Sequence, residues 1–294
     1  MRSGTICVMR SRASVAVTLV LLCCSCGQKP QTPFRSDAGL SATFFDVGQG
    51  DAALLTAGGA TVLIDTGHNG AIVPLLHNEG VTHIDLLIIS HPHMDHVGGL
   101  IAVLRNVPVD KIWYAGSYHG TIGKLLETAA NAERVSSGKT KTLGCLSLLV
   151  LHPEPGVTDT SGDEEAVNNG SVVVKAVCGE SRYLFPGDCE SGCWEELFKL
   201  HRADLRSDIL KVAHHGSWNG TNSGVLGNVR PSSVIISCGR QNHYGHPNQI
   251  VLTMIQKLHV KMFRTDEQGP IHCKETTCTS ETETGASRPN SMKY

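Results

Sequence analysis

Short apolar runs, separated by polar segments that contain glycine, recur along the chain. Such runs, when rich in aliphatic and β-branched residues, are typical of strands, whereas apolar residues spaced three and four apart are typical of helices. The pattern predicts strands at 41–46, 52–56, 60–64, 86–89, 111–114, 145–151, 171–177, 182–185, 209–213, 233–237 and 261–265. It predicts helices at 71–79, 98–106, 121–134, 192–200 and 250–259. Two series of strands, each ending in helices, indicate an α/β fold with two sheets packed face to face and helices outside.

At least five of the eleven predicted strands end in a loop that carries aspartate or histidine. These residues are Asp65, the histidines that begin at His91, Asp188, His214, His215 and His246. Open α/β sheets build their sites from groups that collect at the ends of strands. The sequence therefore predicts one functional site at one edge of the sheets.

The segment 86–100, LLIISHPHMDHVGGL, carries the strongest chemical signal. It places three imidazoles and a carboxylate directly after a buried strand, and these are the groups that Zn²⁺ and similar divalent ions bind. His91 and His93 alternate, so in an extended loop they can converge on one ion. Asp95 and His96 are adjacent and would serve a second ion if the chain turns there. The sequence thus predicts a centre with one or two divalent ions.

The amino terminus is typical of an export signal. Residues 1–12 contain three arginines and no acid, and an apolar stretch and small residues follow. Cys26 after Ser25 resembles the lipidation site of bacterial lipoproteins, although Cys23 stands where leucine is usual. We expect residues 1–26 to be a lipoprotein-type signal and 27–40 to be a polar tether. Cleavage without lipidation and an uncleaved anchor are the alternatives.

Export changes the interpretation of the eleven cysteines. Seven lie beyond the signal, so an oxidising compartment would allow disulfides such as Cys189–Cys193 or Cys273–Cys278 and leave at least one free thiol. Residues 273–294 have no apolar period, and we expect them to be disordered. The formal net charge is −2, so no overall field attracts nucleic acid.

Seven motifs, in order, resemble one known family. They are FDVGQGDA, LIDTG, SHPHMDHVGGL, NNGSVVV, LFPGD, LKVAHHGS and NHYGHP. This series resembles the metallo-β-lactamase superfamily of αββα hydrolases, and within it the hydrolase domain of the ComEC/Rec2 competence proteins of DNA uptake. The resemblance implies a hydrolase domain over residues 41–272.

The resemblance also implies roles for single residues. His91 and His93 match the first pair of metal ligands, Asp95 and His96 match the second pair, and Asp188 matches an aspartate that bridges two ions. The remaining ligand is His215 or His246. Asp65 matches an aspartate that supports the ligands, and Asp51 and Asn168 are further candidates for such support.

The function implied is a metal-dependent phosphodiesterase or nuclease that uses Zn²⁺ or Mn²⁺ to activate water. Asp95 could take the proton of that water, and His246 or His214 could contact the leaving group or the transition state. The expected substrate is a phosphodiester, with DNA as one candidate. The other expected partner is a membrane, reached through the lipid on Cys26. The alternatives are an envelope hydrolase of a small phosphodiester or other ester, and a lipoprotein without catalysis that reuses the fold.

Overall fold

The structure is a computed structural model that describes residues 39–156 and 163–280, together with Met1 and Thr282. Every described element belongs to the unit Phe34–Tyr294. The predicted signal, the lipidation site Cys26 and most of the predicted tether lie outside the described residues. No helix among the described residues is long and apolar enough to cross a membrane.

The first sheet has eight strands in the order β15-β14-β1-β2-β3-β4-β5-β6. Its strands are β1 (Ser41–Phe44), β2 (Ala53–Ala57), β3 (Ala60–Ile64), β4 (Leu86–Ile89), β5 (Ile112–Tyr114), β6 (Ala132–Arg134), β14 (Ile271–Lys274) and β15 (Thr277–Ser280). β3 to β6 run parallel, so the chain must return between them. The helices of this half are α1 (Ile72–Asn78), α2 (Met94–Val97), α3 (Leu100–Asn106) and α4 (Gly120–Thr128).

The second sheet has seven strands in the order β13-β12-β11-β10-β9-β8-β7. Its strands are β7 (Thr140–Leu143), β8 (Leu146–His152), β9 (Val173–Cys178), β10 (Ser181–Phe185), β11 (Ile209–Lys211), β12 (Ser233–Ile236) and β13 (Lys261–Arg264). β10 to β13 are parallel, and β7 to β10 are antiparallel. The helices of this half are α5 (Glu164–Asn169), α6 (Ser191–Leu200), α7 (Ser223–Val229), α8 (Gln249–Lys257) and α9 (Thr265–Gln268).

The main core lies between the two sheets. Phe44 of the first sheet stacks on Phe185 of the second, with ring centroids 5.8 Å apart. Alternate residues of the strands point into this core, and the others point to the outer faces, where the helices cover them. The αββα architecture predicted from the pattern is therefore confirmed, and the parallel strands of both sheets deliver their carboxyl ends to one edge.

Three local predictions were wrong. The helix predicted at 121–134 ends at Thr128, and residues 132–134 pair with β5 as a strand. Helix α7 was not predicted. The tail predicted to be disordered from residue 273 instead forms part of β14 and all of β15, because their backbone groups pair with β1 and with each other. The remainder of the predicted tail lies, apart from Thr282, outside the described residues.

Three disulfides cross-link the described part of the chain. They are Cys145–Cys178, Cys189–Cys193 and Cys273–Cys278, and the buried Cys238 is free. The two pairs that the spacing suggested are thus present. Cys145–Cys178 spans 33 residues and ties the β7–β8 turn to the end of β9.

We expect Cys145–Cys178 to stabilise the fold more than Cys273–Cys278, because the longer loop loses more entropy on closure. The double variant Cys145→Ser/Cys178→Ser should lower the free energy of unfolding by about 4 kcal/mol, and Cys273→Ser/Cys278→Ser should lower it by about 2 kcal/mol. Urea unfolding followed by the fluorescence of the buried Trp113 and Trp194 measures both. Equal losses would contradict the loop-entropy explanation.

Candidate metal centre

Side chains from both sheets meet at one edge of the sandwich. The first sheet supplies Asp65 after β3 and the loop 90–96 after β4, and the second supplies Asp188 after β10 and a 3₁₀ turn, Ala213–Gly216, after β11. The loop after β12 carries His246. The predicted grouping at the strand ends is therefore what the structure contains.

The first group consists of His91, His93 and Asp188. Nε2 of His91 lies 3.1 Å from Nδ1 of His93 and 3.7 Å from Oδ2 of Asp188. One ligand atom from each residue falls within 4.8 Å of the others, and His91 and Asp188 are buried. Two imidazoles and a carboxylate thus converge on a single point.

The second group lies on the other side of Asp188 and includes His96, His215 and Asp95. Nε2 of His96 is 3.3 Å from Nε2 of His215 and 3.2 Å from Oδ1 of Asp188. Oδ2 of Asp95 lies 3.1 Å from Nε2 of His215 and 3.9 Å from Nε2 of His96. Oδ2 of Asp188, which faces His91 of the first group, also lies 3.6 Å from Nε2 of His215, so this carboxylate stands between the two groups, in the position of a bridging ligand.

These distances fit a divalent ion in each group. Ligands at about 2.0–2.1 Å from an ion in tetrahedral geometry lie about 3.3 Å from one another. The separations of 3.1–3.3 Å between neighbouring nitrogen and oxygen atoms match that value. The donors are imidazole and carboxylate, which suit Zn²⁺ and other first-row ions. The cluster thus fits one or two divalent ions.

Asp65 orients ligands in both groups, although it contacts neither ion position itself. Its carboxylate accepts from the backbone N–H and the hydroxyl of Ser90, each at 2.8 Å, and from Nδ1 of His96 at 2.9 Å. The Ser90 oxygen in turn lies 3.0 Å from Nδ1 of His91. With both Nδ1 atoms held in this way, His91 and His96 present Nε2 to the cluster. Asp65 has a left-handed φ of 59°, which places its side chain under the β4 loop.

His215 is held by two groups from different elements. Its Nδ1 lies 2.9 Å from the carbonyl oxygen of Ser237 and 3.2 Å from Oδ1 of Asp51. Asp51 is also ion-paired with the buried Lys211, whose strand directly precedes the 3₁₀ turn. Asp51 is thus placed behind the ligands, and it is also close enough to His96 and Asp188 to reach an ion. In the sequence, nothing distinguishes Lys211 from the other scattered lysines.

His214 points toward Asp188 but belongs to neither group. Its Nε2 lies 3.7 Å from Oδ2 of Asp188, and its Nδ1 lies 2.7 Å from Oε1 of Glu190. Asn168 donates from Nδ2 to the same oxygen of Glu190 at 2.9 Å. Asn168 therefore acts on the site through Glu190 and His214. Glu190 was missed from the sequence, although its position two residues after Asp188 is the signal that could have found it.

His246 lies at the outer side of the site. Its ring centroid is 5.4 Å from that of His214, and it is half-buried. Burial and the neighbouring imidazoles lower the pKa of His246 to about 4. The structure thus separates the three ambiguous histidines, with His215 among the ligand atoms, His214 beside them and His246 nearer to solvent.

The backbone at the site is unusual at two consecutive histidines and at one glycine. His214 and His215 both have left-handed φ values, 47° and 51°, which are uncommon for residues other than glycine and which aim consecutive rings at the cluster. A Cβ on Gly50 would lie 2.2 Å from the carbonyl oxygen of Asp95, so only glycine allows the 48–51 loop to pack against the histidine loop.

The electrostatics of the pocket favour positive charge. Burial alone would lower the pKa of His215, but Asp188 and Asp51 outweigh it and raise the pKa to about 10. Burial likewise opposes the charged form of Asp51, yet Lys211 and His215 lower its pKa to about 2. Asp188 and Asp65 together raise the pKa of His96 despite its burial. A site that stabilises protonated imidazoles so strongly also stabilises a cation among them.

We expect Asp65→Asn to lower the affinity for Mn²⁺ or Zn²⁺ by about 10- to 100-fold, because both His91 and His96 lose the carboxylate that fixes their orientation. Titration of the metal-free protein by calorimetry measures the loss. Asp208→Asn is the matched control, since Asp208 directly precedes β11, at the end of that strand away from the 3₁₀ turn, and accepts from the backbone N–H of Arg182. An equal loss in the two variants would contradict the supporting role of Asp65.

Comparisons with known proteins agree with this architecture. Residues 45–226, more than half of the chain, match the metallo-beta-lactamase superfamily. The chain is 28% identical over 253 residues to ComE operon protein 3 of Bacillus subtilis, a match that covers 77% of this chain and 32% of that protein. It is 31% identical over 234 residues to Competence protein ComA of Neisseria gonorrhoeae, covering 78% of this chain and 31% of that protein.

The chain therefore spans about a third of the length of the curated relatives that it matches. Among solved structures, Igni18, a metallo hydrolase of the archaeon Ignicoccus hospitalis, superposes with a TM-score of 0.52 at 12% identity, over 80% of this chain and 99% of that one. This likeness concerns the fold alone. With the ligand cluster in place, the chain belongs to the metallo-β-lactamase superfamily, as a metal-dependent hydrolase similar to competence proteins.

Proposed function

We propose that the chain is a metal-dependent phosphodiesterase that cleaves nucleic acid, with DNA as its first substrate. The observation that carries this proposal is the cluster of four imidazoles and the carboxylates of Asp95 and Asp188. The chain is also similar to proteins named for competence. Divalent ions held by these residues would suit a phosphodiester substrate, because they would stabilise the negative charge that develops on its oxygens.

In this proposal, His91, His93 and Asp188 hold the first ion, and Asp95, His96, Asp188 and His215 hold the second. The ions are Zn²⁺ or Mn²⁺, both of which accept imidazole and carboxylate ligands. When bound, they supply Lewis acidity and lower the pKa of a coordinated water toward neutrality. Asp65 and Asp51 hold the ligand rings in place from behind.

The remaining groups handle protons and charge. Asp95 is partly exposed and lies beside the second group, so its free oxygen can take a proton from the attacking water. His214, oriented by Glu190, offers Nε2 to a phosphoryl oxygen next to Asp188. His246, on the solvent side, is neutral near pH 7 because its pKa is lowered to about 4, so its N–H would donate a hydrogen bond to the leaving oxygen or to a non-bridging oxygen.

We also infer that the protein works outside the cytoplasm, on a membrane surface. The residues expected to form the signal and the lipid anchor at Cys26 support this location, and so do the three disulfides, which persist in oxidising compartments. A nuclease held there would meet DNA as it arrives at the cell.

Purified full-length protein loaded with Mn²⁺ should cleave both single-stranded DNA and bis-p-nitrophenyl phosphate. The double variant His91→Ala/Asp188→Ala should cleave neither, because it lacks a ligand of the first group and the bridging carboxylate. Gel analysis of the DNA and release of nitrophenolate measure the two reactions. Cleavage of the small ester without any cleavage of DNA would contradict the nucleic-acid substrate.

Substitutions of His246 and His215 should differ in their effects on the bound metal and on the rate. We expect His246→Asn to lower kcat by about 10²- to 10³-fold with bound metal unchanged, since it removes the imidazole N–H that donates to the reacting oxygens and no ligand. His215→Ala should lose metal from the second group. Metal analysis beside steady-state kinetics distinguishes the two, and loss of metal in His246→Asn would show that our assignment of the ligands is wrong.

A further inference from the structure

The large apolar side chains that are exposed in the described part of the chain are not spread evenly. They are Met1, Met94, Leu200, Trp218, Tyr244, Ile250 and Leu258. Three of these residues belong to the loops that carry the site: Met94 lies between His93 and Asp95, Trp218 three residues after His215, and Tyr244 two residues before His246. Trp218 and Tyr244 are 65% and 71% exposed, so two aromatic side chains face solvent on the loops that carry His215 and His246.

The two loops that carry Trp218 and Tyr244 are packed against each other. The N–H of Asn248 donates to the carbonyl oxygen of Gly216 at 2.9 Å. A Cβ on Gly216 would lie 2.6 Å from Cβ of Pro247, so the loops touch at that point. Both aromatic residues therefore stand within a few residues of one contact.

The Tyr244 loop is fixed by its own hydrogen bonds. Asn242 accepts from the backbone N–H of Tyr244 at 3.2 Å and of His246 at 3.1 Å, and its side-chain amide donates to the carbonyl oxygens of Gly239 and His246. A loop whose backbone is held in this way loses little conformational freedom when a ligand covers it.

Tyr244 is the outer end of a series of rings that begins among the ligands. The centroids of His215 and His214 are 6.0 Å apart, those of His214 and His246 are 5.4 Å apart, and those of His246 and Tyr244 are 6.1 Å apart. The planes of the Tyr244 and His246 rings are nearly parallel, with an angle of 17° between them. A nucleobase stacked on Tyr244 would thus lie close to the ligand cluster. A short length of the same strand would connect that base to a phosphate at the cluster.

We propose that Tyr244 and Trp218 form a stacking surface for nucleobases, which selects single-stranded nucleic acid among phosphodiesters. The inference rests on the proposed function and deepens it by giving the means of substrate binding. Aromatic side chains beside a strand-binding groove commonly stack on unpaired bases, whatever the sequence of the strand. Stacking also explains how a chain with a net charge of −2 and scattered lysines can hold a polyanion.

A membrane surface is the competing occupant, because tryptophan and tyrosine also favour the interface of a bilayer. The exposed Ile250, in the first turn of α8, lies near the same loops. The series of rings that leads to the metal ligands favours bases, since a bilayer would need only an apolar surface and no connection to the ligands.

The test measures binding without turnover. The full-length protein carrying Asp188→Ala is titrated with a labelled single-stranded oligonucleotide and with an abasic strand of the same length, and fluorescence anisotropy gives both Kd values. The abasic strand should bind about 5- to 150-fold more weakly, the range expected for stacking of one base. Adding Trp218→Ala or Tyr244→Ala should move the ratio of the two Kd values toward one.

Leu258→Ala is the matched control, because Leu258 is a large exposed side chain at the far end of α8, and it should leave the ratio unchanged. A ratio near one without the aromatic substitutions would overturn the proposal. So would a ratio that neither aromatic substitution alters. Binding to vesicles of anionic phospholipid that both substitutions abolish, without discrimination between the strands, would overturn it in favour of the membrane. Because none of these measurements depends on cleavage, failure of the wild-type protein to hydrolyse DNA would count against the proposed function and not against the stacking surface.

Discussion

The structure depends on the burial of like charges where the two sheets meet. Asp51, Asp65 and Asp188 are almost completely buried at this edge, and Lys211 is the cation set directly against them. Uncompensated carboxylates in such surroundings are costly, so the imidazoles between them must carry either protons or a metal ion. The pKa values of His96 and His215 are raised, which favours protons on these imidazoles. Their Nε2 atoms also converge, as they would on a metal ion. The metal centre therefore follows from the electrostatics of the fold.

The same charges connect the two halves of the sandwich. His96 and Asp65 come from the first sheet, whereas Asp188 and His215 come from the second. An ion shared by His96, Asp188 and His215 would bind the folded state alone, since these residues are far apart along the unfolded chain. Its binding free energy consequently adds to the stability of the sandwich. Each of the three disulfides lies within one half of the sandwich, so none of them replaces this link.

What could be predicted from the sequence depended on how local each feature is. The histidine motif after β4 was found because its residues are neighbours in the chain, and the αββα class was found because strand periodicity is local too. Lys211 and Glu190 were missed because their roles exist only through contacts with Asp51 and His214, which depend on tertiary packing. β15 was missed because it is polar and lies at the sheet edge, so pairing with β14 defines it rather than apolar periodicity.

The charge of the centre also bears on how it treats an anionic substrate. With neutral imidazoles, the carboxylates of Asp51, Asp65, Asp95, Asp188 and Glu190 exceed the charge of Lys211 by four. One divalent ion would leave a net negative charge that repels a phosphodiester, whereas two ions would balance the carboxylates and remove that repulsion. This balance concerns only the phosphate at the centre and provides no attraction along a strand. A chain without a basic surface must then bind the rest of its substrate by uncharged contacts, and the exposed aromatic residues beside His246 supply them.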